Sequence, residues 1–307
     1  MSRYINPYTD FGFKKLFGEE ANKDLLIDFL NAVLPPENHV ADLTFRNSEQ
    51  LPDNIVDRRA IFDIACVGDS GESFTVEMQK AKQLYFRDRA LFYAAFPIQR
   101  QAQKGDWNFK LNPVILVAVL DFEYDEHEER RKLYRLVTLK DQDGGVFSDT
   151  LKMVFLQMPL LDFDRSLPQT RRDKWLYFLK NLESFDGIPA VLSEPVFEKA
   201  FGTAEYVKFS QEVQEVYQND LKIYRDNRNV VETARIEGKA EGLAEGEAKG
   251  KAEGKLEGKA EGLAEGKARG KAEATLEIVR KMKSLGIDAA TIAQTTGLSA
   301  SEIEQQN

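Results

Sequence analysis

The chain has 307 residues, enough for about two domains or for one large domain with an appendage. Its 42 % apolar and 30 % charged residues are typical of a globular protein with a packed core. The single cysteine, Cys66, excludes a disulfide framework and a thiolate zinc cluster, and two histidines are too few for a histidine-based metal site. Because no apolar run approaches about 18 residues and no apolar leader is visible, we expect a cytoplasmic protein without membrane contact.

The charge is unevenly distributed along the chain. The 42 basic and 51 acidic residues give a net charge of −9, yet residues 235–273 carry nine of each sign, so the remainder carries the whole excess. This balance argues against broad nonspecific adhesion to nucleic acid but allows a local basic groove. Three basic clusters are candidates for contact with a DNA backbone: Arg58-Arg59, Arg130-Arg131-Lys132 and Arg171-Arg172.

Taken in order, the apolar patterns predict an α/β fold. A first helix, in FGFKKLFG, precedes an amphipathic helix that Pro35 and Pro36 end. The apolar run 113–122 has the length of a central strand covered on both faces. The other predicted elements are strands at 39–45, 60–67, 73–79, 133–139 and 152–158, a helix at 84–104 interrupted by Pro97, and helices from 168 to about 234. The order over residues 10–122 is therefore α-β-β-β-α-β.

The last quarter of the sequence has a different character. Glycine recurs at every fourth position from Gly238 to Gly270, among strong helix formers. This repeat predicts either a solvated spacer, which we favour, or a helix that becomes stable by association. Residues 274–307 predict three short helices resembling a helix-turn-helix unit, with Asp288 and Ser299 as N-caps. Since residues 286–307 contain no Lys or Arg, we favour an oligomerisation or docking module over a DNA reader.

The second and third strands form a predicted hairpin, AIFDIACV-GDSG-ESFTVEMQ. A three-residue loop with Gly71 in the left-handed position pairs residues whose numbers sum to 140. In that register Asp63 faces Glu77 and Ile61 faces Gln79. Because side chains alternate along a strand, we expect Asp63, Glu77 and Gln79 on one face of the sheet.

Two opposed carboxylates destabilise a hairpin unless something compensates for their repulsion. A divalent cation such as Mg²⁺, held by Asp63 and Glu77, would do so, and a metal-bound water beside a phosphodiester is suited to hydrolysis. Gln79 cannot act as a base but can orient water or a phosphate oxygen. The alternative is a solvent-facing strand on which the two acids only confer solubility.

Four further residues are possible supports for the site. Asp10 and Lys14, at i and i+4 on the first helix, either assist the site or form an ordinary helix ion pair. Arg89 and Tyr93, also at i and i+4, either face a phosphate or have structural roles only.

The motifs resemble a known family. The pattern D-x13-E-M-Q, with TDFGFKKLFG, IFDIAC, RALFYAA, PVILVAVLDF and the terminal LSASEIEQQ, resembles the recombination-promoting nuclease and putative transposase family within the PD-(D/E)XK nucleases. The resemblance covers roughly residues 1–290. It implies an αβββαβ core with a central mixed sheet flanked by helices, followed by a helical C-terminal region. The implied division is 1–165 for the core, 166–234 for a helical extension, 235–273 for the repeat and 274–307 for the terminal module.

The same resemblance implies a function. It implies a Mg²⁺-dependent DNA endonuclease of recombination or transposase-like type, with Asp63 and Glu77 as the metal-binding acids. Gln79 stands where the superfamily carries Lys, and Lys80 points to the opposite face of a regular strand. DNA and further copies of the chain, joined through the C-terminal helices, are the expected partners. The alternative is a catalytically weak relative that binds DNA or protein by assembly.

Overall fold

The structure is a computed structural model, and it describes residues 2–46, 49–50, 60–61, 63–125, 127, 129, 131–162 and 167–305. The chain divides into two compact units, Met1–Val231 and Glu232–Asn307. The elements in chain order are α1 Asp10–Phe17, α2 Lys23–Val33, β1 Leu43–Arg46, β2 Glu49–Gln50, β3 Ala60–Ile61, β4 Ile64–Gly68, β5 Ser73–Gln79, α3 Phe86–Gln99, β6 Val114–Leu120, β7 Tyr134–Lys140, β8 Val146–Gln157, α4 Arg171–Asn181, α5 Pro195–Ala204, α6 Gln211–Ser284, α7 Ala289–Thr296 and α8 Ala300–Glu304.

A mixed six-stranded sheet forms the centre of the first unit, with strand order β1-β4-β5-β6-β8-β7. The three central strands, β5, β6 and β8, run parallel, and the flanking pairs are antiparallel. The short strands β2 and β3 pair with each other outside this sheet. Helices α1 and α2 precede the sheet, and α3 connects β5 to β6. The predicted α/β class and the α-β-β-β-α-β order are therefore confirmed.

Strand β6 is covered on both faces of the sheet. All seven of its side chains, VILVAVL, are buried, as the continuous apolar run predicts. Ile115, Val117 and Val119 belong to the larger core, which also contains apolar side chains of α1, α2, α4 and α5. Leu116, Ala118 and Leu120 face the other way and cluster with α3. The candidate hairpin therefore lies in a sheet covered on both faces.

Helix α3 is shorter than the predicted helix 84–104. Tyr85 has a left-handed backbone, with φ of 61°, so the helix begins only at Phe86. The helix continues through Pro97 and ends at Gln99, whereas we expected Pro97 to kink or divide a longer helix. Pro97 has no N–H to donate to the carbonyl of Tyr93, so it removes one hydrogen bond from α3 without ending the helix there.

The second unit begins within α6, which includes the whole glycine repeat in one continuous helix. The short helices that follow match their predicted caps. Asp288 accepts a hydrogen bond from the N–H of Thr291, Gly297 ends α7 at φ of 73°, and Ser299 forms a capping box with Glu302. Among the described residues, no helix combines the length and the apolar character needed to span a bilayer.

Candidate active site

The hairpin register is the predicted one where β4 and β5 pair. Ile64 pairs with Val76, and three further pairs continue to Val67 and Ser73, so the residue numbers sum to 140. Gly71 closes the loop with φ of 93°, in the left-handed region, and donates its N–H to the carbonyl oxygen of Gly68 at 3.1 Å. Loop length and the glycine requirement thus determine which side chains oppose each other.

Asp63 does not continue the strand but lies in a bend immediately before β4. Its Oδ2 accepts a hydrogen bond from the N–H of Met78 at 2.7 Å, so the β5 backbone anchors the carboxylate beside Glu77. The expected pairing of Ile61 with Gln79 is wrong, because Ile61 pairs with Glu49 in the separate β2–β3 ribbon. Asp63 is thus held at the beginning of β4, where its anchored carboxylate is a candidate metal ligand.

Glu77 is buried in the middle of the site, with 7 % of its surface exposed. Its Oε2 accepts a hydrogen bond from Gln79 Nε2 at 2.6 Å, which places these two residues on one face of β5. Its Oε1 is buried and has no hydrogen-bond partner among the described residues. An unpartnered carboxylate oxygen in a buried position is costly, and its cost needs an explanation.

The electrostatics of the pair follow from burial. Burial and, to a smaller extent, the charge of Asp63 raise the pKa of Glu77 to about 7, against the opposing effects of the Gln79 hydrogen bond and the Arg89 charge. Burial also raises the pKa of Asp63, against the hydrogen bond from Met78 and the charges of Lys14 and Lys80. Both carboxyl groups are therefore held in surroundings that disfavour two negative charges.

Strand β5 ends at Gln79, so side-chain alternation does not extend to Lys80. The charge of Lys80 lowers the pKa of Asp63, against the larger effect of burial. That Lys80 points away from the acids stays a prediction.

The supporting residues fall into two groups. Asp10 and Lys14 form an ion pair of 3.0 Å on α1, and both line an open cavity of about 640 Å³ together with Asp63. Arg89 and Tyr93 line a small cavity of about 20 Å³ with Glu77 and Gln79. The structure thus brings each predicted supporting residue to one of the two carboxylates.

Asp121 is a further half-buried carboxylate whose backbone lies beside the end of β5, and the spacing of the candidates does not reveal it. It follows β6 directly and donates its N–H to the carbonyl oxygen of Gln79 at 2.9 Å. Its Oδ2 accepts a hydrogen bond from the Tyr224 hydroxyl at 3.2 Å, and burial raises its pKa. The signal in the sequence is an acid immediately after a buried parallel strand, where α/β folds place ligands.

The basic clusters have different positions. The guanidinium of Arg171 donates two hydrogen bonds to the carboxylate of Asp28, at 2.7 and 2.8 Å, and also pairs with Glu194, so its charge is engaged within the fold. Arg172 stacks over the ring of Tyr134 at 4.8 Å. Arg131 pairs with Glu123. Arg58-Arg59 and Arg130 lie outside the described residues.

The donor set suits a hard cation. Within the described ranges, no group of three or more His, Cys, Asp and Glu side chains forms a metal site. Asp63 and Glu77 offer carboxylate oxygens, one of them without a hydrogen-bond partner. Mg²⁺ commonly takes one or two protein carboxylates and completes its shell with water and substrate phosphate. Two acids are therefore a sufficient protein contribution for such an ion.

Comparison with protein families agrees with this geometry. The family model described as PD-(D/E)XK nuclease family transposase matches residues 7–234. The chain belongs to this family. A second model, described as the Rpn/YhgA-like nuclease family C-terminal HTH domain, matches residues 272–307 of this nuclease-family chain. The resemblance drawn from the motifs is thereby confirmed. No curated protein and no solved structure matches the chain.

Proposed function

We propose that this chain is a divalent-metal-dependent DNA endonuclease that hydrolyses phosphodiester bonds in recombination or transposase-like reactions. The observation that carries the proposal is the buried Glu77, whose Oε1 has no hydrogen-bond partner among the described residues and whose pKa is raised by the charge of a second, half-buried carboxylate, Asp63. Without a cation this arrangement is repulsive and poorly hydrogen-bonded. Membership of a nuclease family gives the arrangement its chemical context.

Asp63 and Glu77 would hold the cation. When bound, Mg²⁺ supplies an activated water and stabilises negative charge on the phosphate. The hydrogen bond from Gln79 occupies Glu77 Oε2 and leaves Oε1 for the ion, while the N–H of Met78 fixes the Asp63 carboxylate. The positive charge of Arg89 favours the ionised form of Glu77, which is the form that binds a metal.

A cleavage assay on supercoiled plasmid with Mg²⁺ and with EDTA tests the proposal. We expect Mg²⁺-dependent cutting by the wild type, and loss of cutting in Asp63→Asn and Glu77→Gln. Asp69→Asn is the matched control, since it removes an exposed carboxylate from the loop of the same hairpin. If both site variants cut at the wild-type rate, the assignment of the site is wrong.

Gln79 tests the departure from the superfamily lysine. We expect Gln79→Ala to lose less activity than Asp63→Asn, because an amide orients groups without holding the ion. Gln79→Lys restores the superfamily residue type and is expected to preserve or raise activity. An unchanged cleavage rate in Gln79→Ala would remove this residue from the site.

The tail provides a second candidate role, in assembly. The description of residues 272–307 as a helix-turn-helix domain supports DNA binding by the tail, and the absence of Lys and Arg from 286–307 supports self-association. We propose that the 235–273 repeat and the 274–307 module join copies of the chain, beside a 1–165 core and a 166–234 extension. A chain ending at Val231 should then show a lower mass per particle in light scattering. An unchanged mass with lost DNA binding would instead identify the tail as a DNA reader.

A further inference from the structure

The segment that follows the site has a charge opposite to that of the whole chain. Residues 80–110 contain seven Lys and Arg against two Asp, a net charge of +5 within a protein of net charge −9. The two acids are Asp88 and Asp106. A local concentration of positive charge on an acidic protein indicates a surface for a polyanion.

These cations are accessible. Lys82, Arg100, Lys104 and Lys110 are exposed, and none of the four forms an ion pair with another described residue. Arg87 makes a long ionic contact of 3.7 Å with Asp125 and lies over the ring of Tyr124 at 5.3 Å. By contrast, Arg171 is paired with carboxylates of the fold. The charge of this segment is therefore left for an external partner.

Exposed aromatic rings accompany the charges. Tyr85 is 70 % exposed, Phe92 50 % and Phe109 76 %. Helix α3 turns Phe86 and Ala90 toward the sheet, while Leu91 and Phe92 face outward. We call this outward side, with Lys82, Tyr85, Arg89 and Phe92, the α3 surface. It is apolar and aromatic at its centre and flanked by cations.

Tyr85 is held in an unfavourable conformation. Its φ of 61° and ψ of 33° lie in the left-handed region, which bulky side chains rarely adopt. Glycine would relieve this strain, and no side-chain hydrogen bond caps the helix at this position. Strain of this kind is found where a side chain must be presented for function. Here it presents an exposed tyrosine ring at the start of α3.

The α3 surface adjoins the candidate active site. Arg89 and Tyr93, on the same helix, line the small cavity with Glu77, and the guanidinium of Arg89 stacks over the Tyr93 ring at 5.2 Å. A strand lying along the α3 surface would therefore run toward the carboxylate that we assign to the metal.

We propose that the α3 surface binds unpaired nucleotides, with bases stacked on Tyr85 and Phe92 and the phosphate backbone on the flanking cations. Stacking requires an open base face, which paired bases inside a duplex do not offer. A second copy bound through the same α3 surface is a poor occupant, since two surfaces of like charge would meet. The inference rests on the proposed nuclease function and specifies its substrate as DNA that contains single-stranded segments.

Binding measurements in EDTA test the proposal without cleavage. We would compare a fluorescent single-stranded oligonucleotide with its duplex, using the full chain and fluorescence anisotropy. Tyr85→Gly and Phe92→Ala should each weaken single-strand binding about tenfold and leave duplex binding unchanged. Phe147→Ala is the matched control, because Phe147 is 81 % exposed on β8. Tyr85→Gly is also expected to unfold at the same or a higher temperature, since it relieves strain, so its loss of binding would not reflect misfolding.

The cations are tested by salt dependence. Lys82→Gln and Lys104→Gln should each reduce the slope of log affinity against log salt by about 0.7 for a single strand. Lys140→Gln, at an exposed position on β7, serves as the control and should leave the slope unchanged. Unchanged salt slopes in both Lys82→Gln and Lys104→Gln would contradict the proposal.

The results separate this inference from the proposed function. Wild-type single-strand affinity in both Tyr85→Gly and Phe92→Ala would overturn the inference, even if Mg²⁺-dependent cutting persists. A lower mass per particle in Phe92→Ala, with unchanged affinity, would overturn it in favour of self-association. Conversely, Glu77→Gln should lose cutting and keep single-strand binding. Binding through the α3 surface by a wild type that does not cut would support the inference and reject the nuclease function.

Discussion

Gly12 lies in α1 of the first unit, where an added Cβ atom would stand 2.1 Å from the carbonyl oxygen of Asn6. At the nine glycines from Gly238 to Gly270, no atom of the described residues other than the helix's own backbone lies within 4 Å of the equivalent position. Close packing therefore requires glycine at Gly12. In the repeat, no contact among the described residues requires it. A site of association between helices, where small residues allow close approach, is consistent with the spacing of four.

The carboxylates of the first unit and those of the repeat also differ in their burial. Glu77 is enclosed between the sheet and α3, and burial raises its pKa to about 7. The acids of the repeat are exposed, as is every side chain from 232 to 274. Packing thus determines how a residue type affects stability. We expect a glycine-to-alanine substitution to destabilise the first unit at Gly12 and to stabilise the helix of the repeat.

The largest expected effect is that of Gly12→Ala. The added methyl group would clash with backbone, which cannot move as a side-chain end can, so we expect a loss of about 3 kcal/mol in the free energy of unfolding. Urea unfolding followed by tryptophan fluorescence measures it, since Trp107 and Trp175 both lie in the first unit. Gly187→Ala is the control, because its Cβ would meet open space. Equal midpoints for the two variants would show that α1 adjusts freely.

Glu77 should make the first unit less stable as the pH rises. The unfolded chain ionises this group from pH 4.5, whereas the folded chain does so only near pH 7. Its contribution is therefore fully present below pH 4.5 and lost on passing through pH 7, with an upper bound of about 3 kcal/mol. We expect Glu77→Gln to gain stability over the wild type between pH 5 and pH 8. A stability difference independent of pH would mean that Glu77 ionises normally.

The same stability measurement, repeated with Mg²⁺, tests whether the two carboxylates bind the ion. A cation bound at Asp63 and Glu77 favours their ionised forms, so Mg²⁺ should stabilise the wild type most at high pH. The Glu77→Gln variant should show little of this stabilisation. Equal stabilisation of both proteins would place the ion elsewhere.

The smallest expected effect belongs to the repeat. Gly254→Ala should stabilise the local helix by about 1 kcal/mol, and Ala260→Gly should weaken it by a similar amount. Thermal loss of helical circular dichroism in the full chain measures both. If Gly254→Ala also lowers the mass per particle, the glycines serve contact between helices, and a purely propensity-based account of the repeat is wrong.

Much of the fold follows from local patterns in the sequence. Strand β5 has the predicted bounds 73–79, and β6 lies within the predicted run 113–122, because burial on both faces leaves an unmistakable apolar signal. The hairpin register followed from the loop and Gly71. Asp288 and Ser299 cap the tail helices as predicted, since capping depends on residues only three positions apart.

The remaining features depend on tertiary contacts or on backbone conformation. Asp63 lies in a bend, where its carboxylate accepts a hydrogen bond from the N–H of Met78, fifteen residues away. The start of α3 is set by the left-handed Tyr85, a conformation that its residue type does not suggest. The backbone of Asp121 meets that of Gln79 through the alignment of β5 with β6. The charge of residues 80–110 is visible in the sequence, but the cations are too dispersed to form an obvious cluster.

Cys66 lies in β4, three residues after Asp63, and is only 2 % exposed. Burial raises the pKa of its thiol to about 12, so thiol reagents have neither access nor a thiolate to attack while the sheet is closed. Because the chain has no other cysteine, every labelling event records an opening of this one strand. The rate of alkylation under native conditions therefore gives the free energy of that opening, and ions or nucleotides that hold the hairpin closed should slow it in proportion to their occupancy.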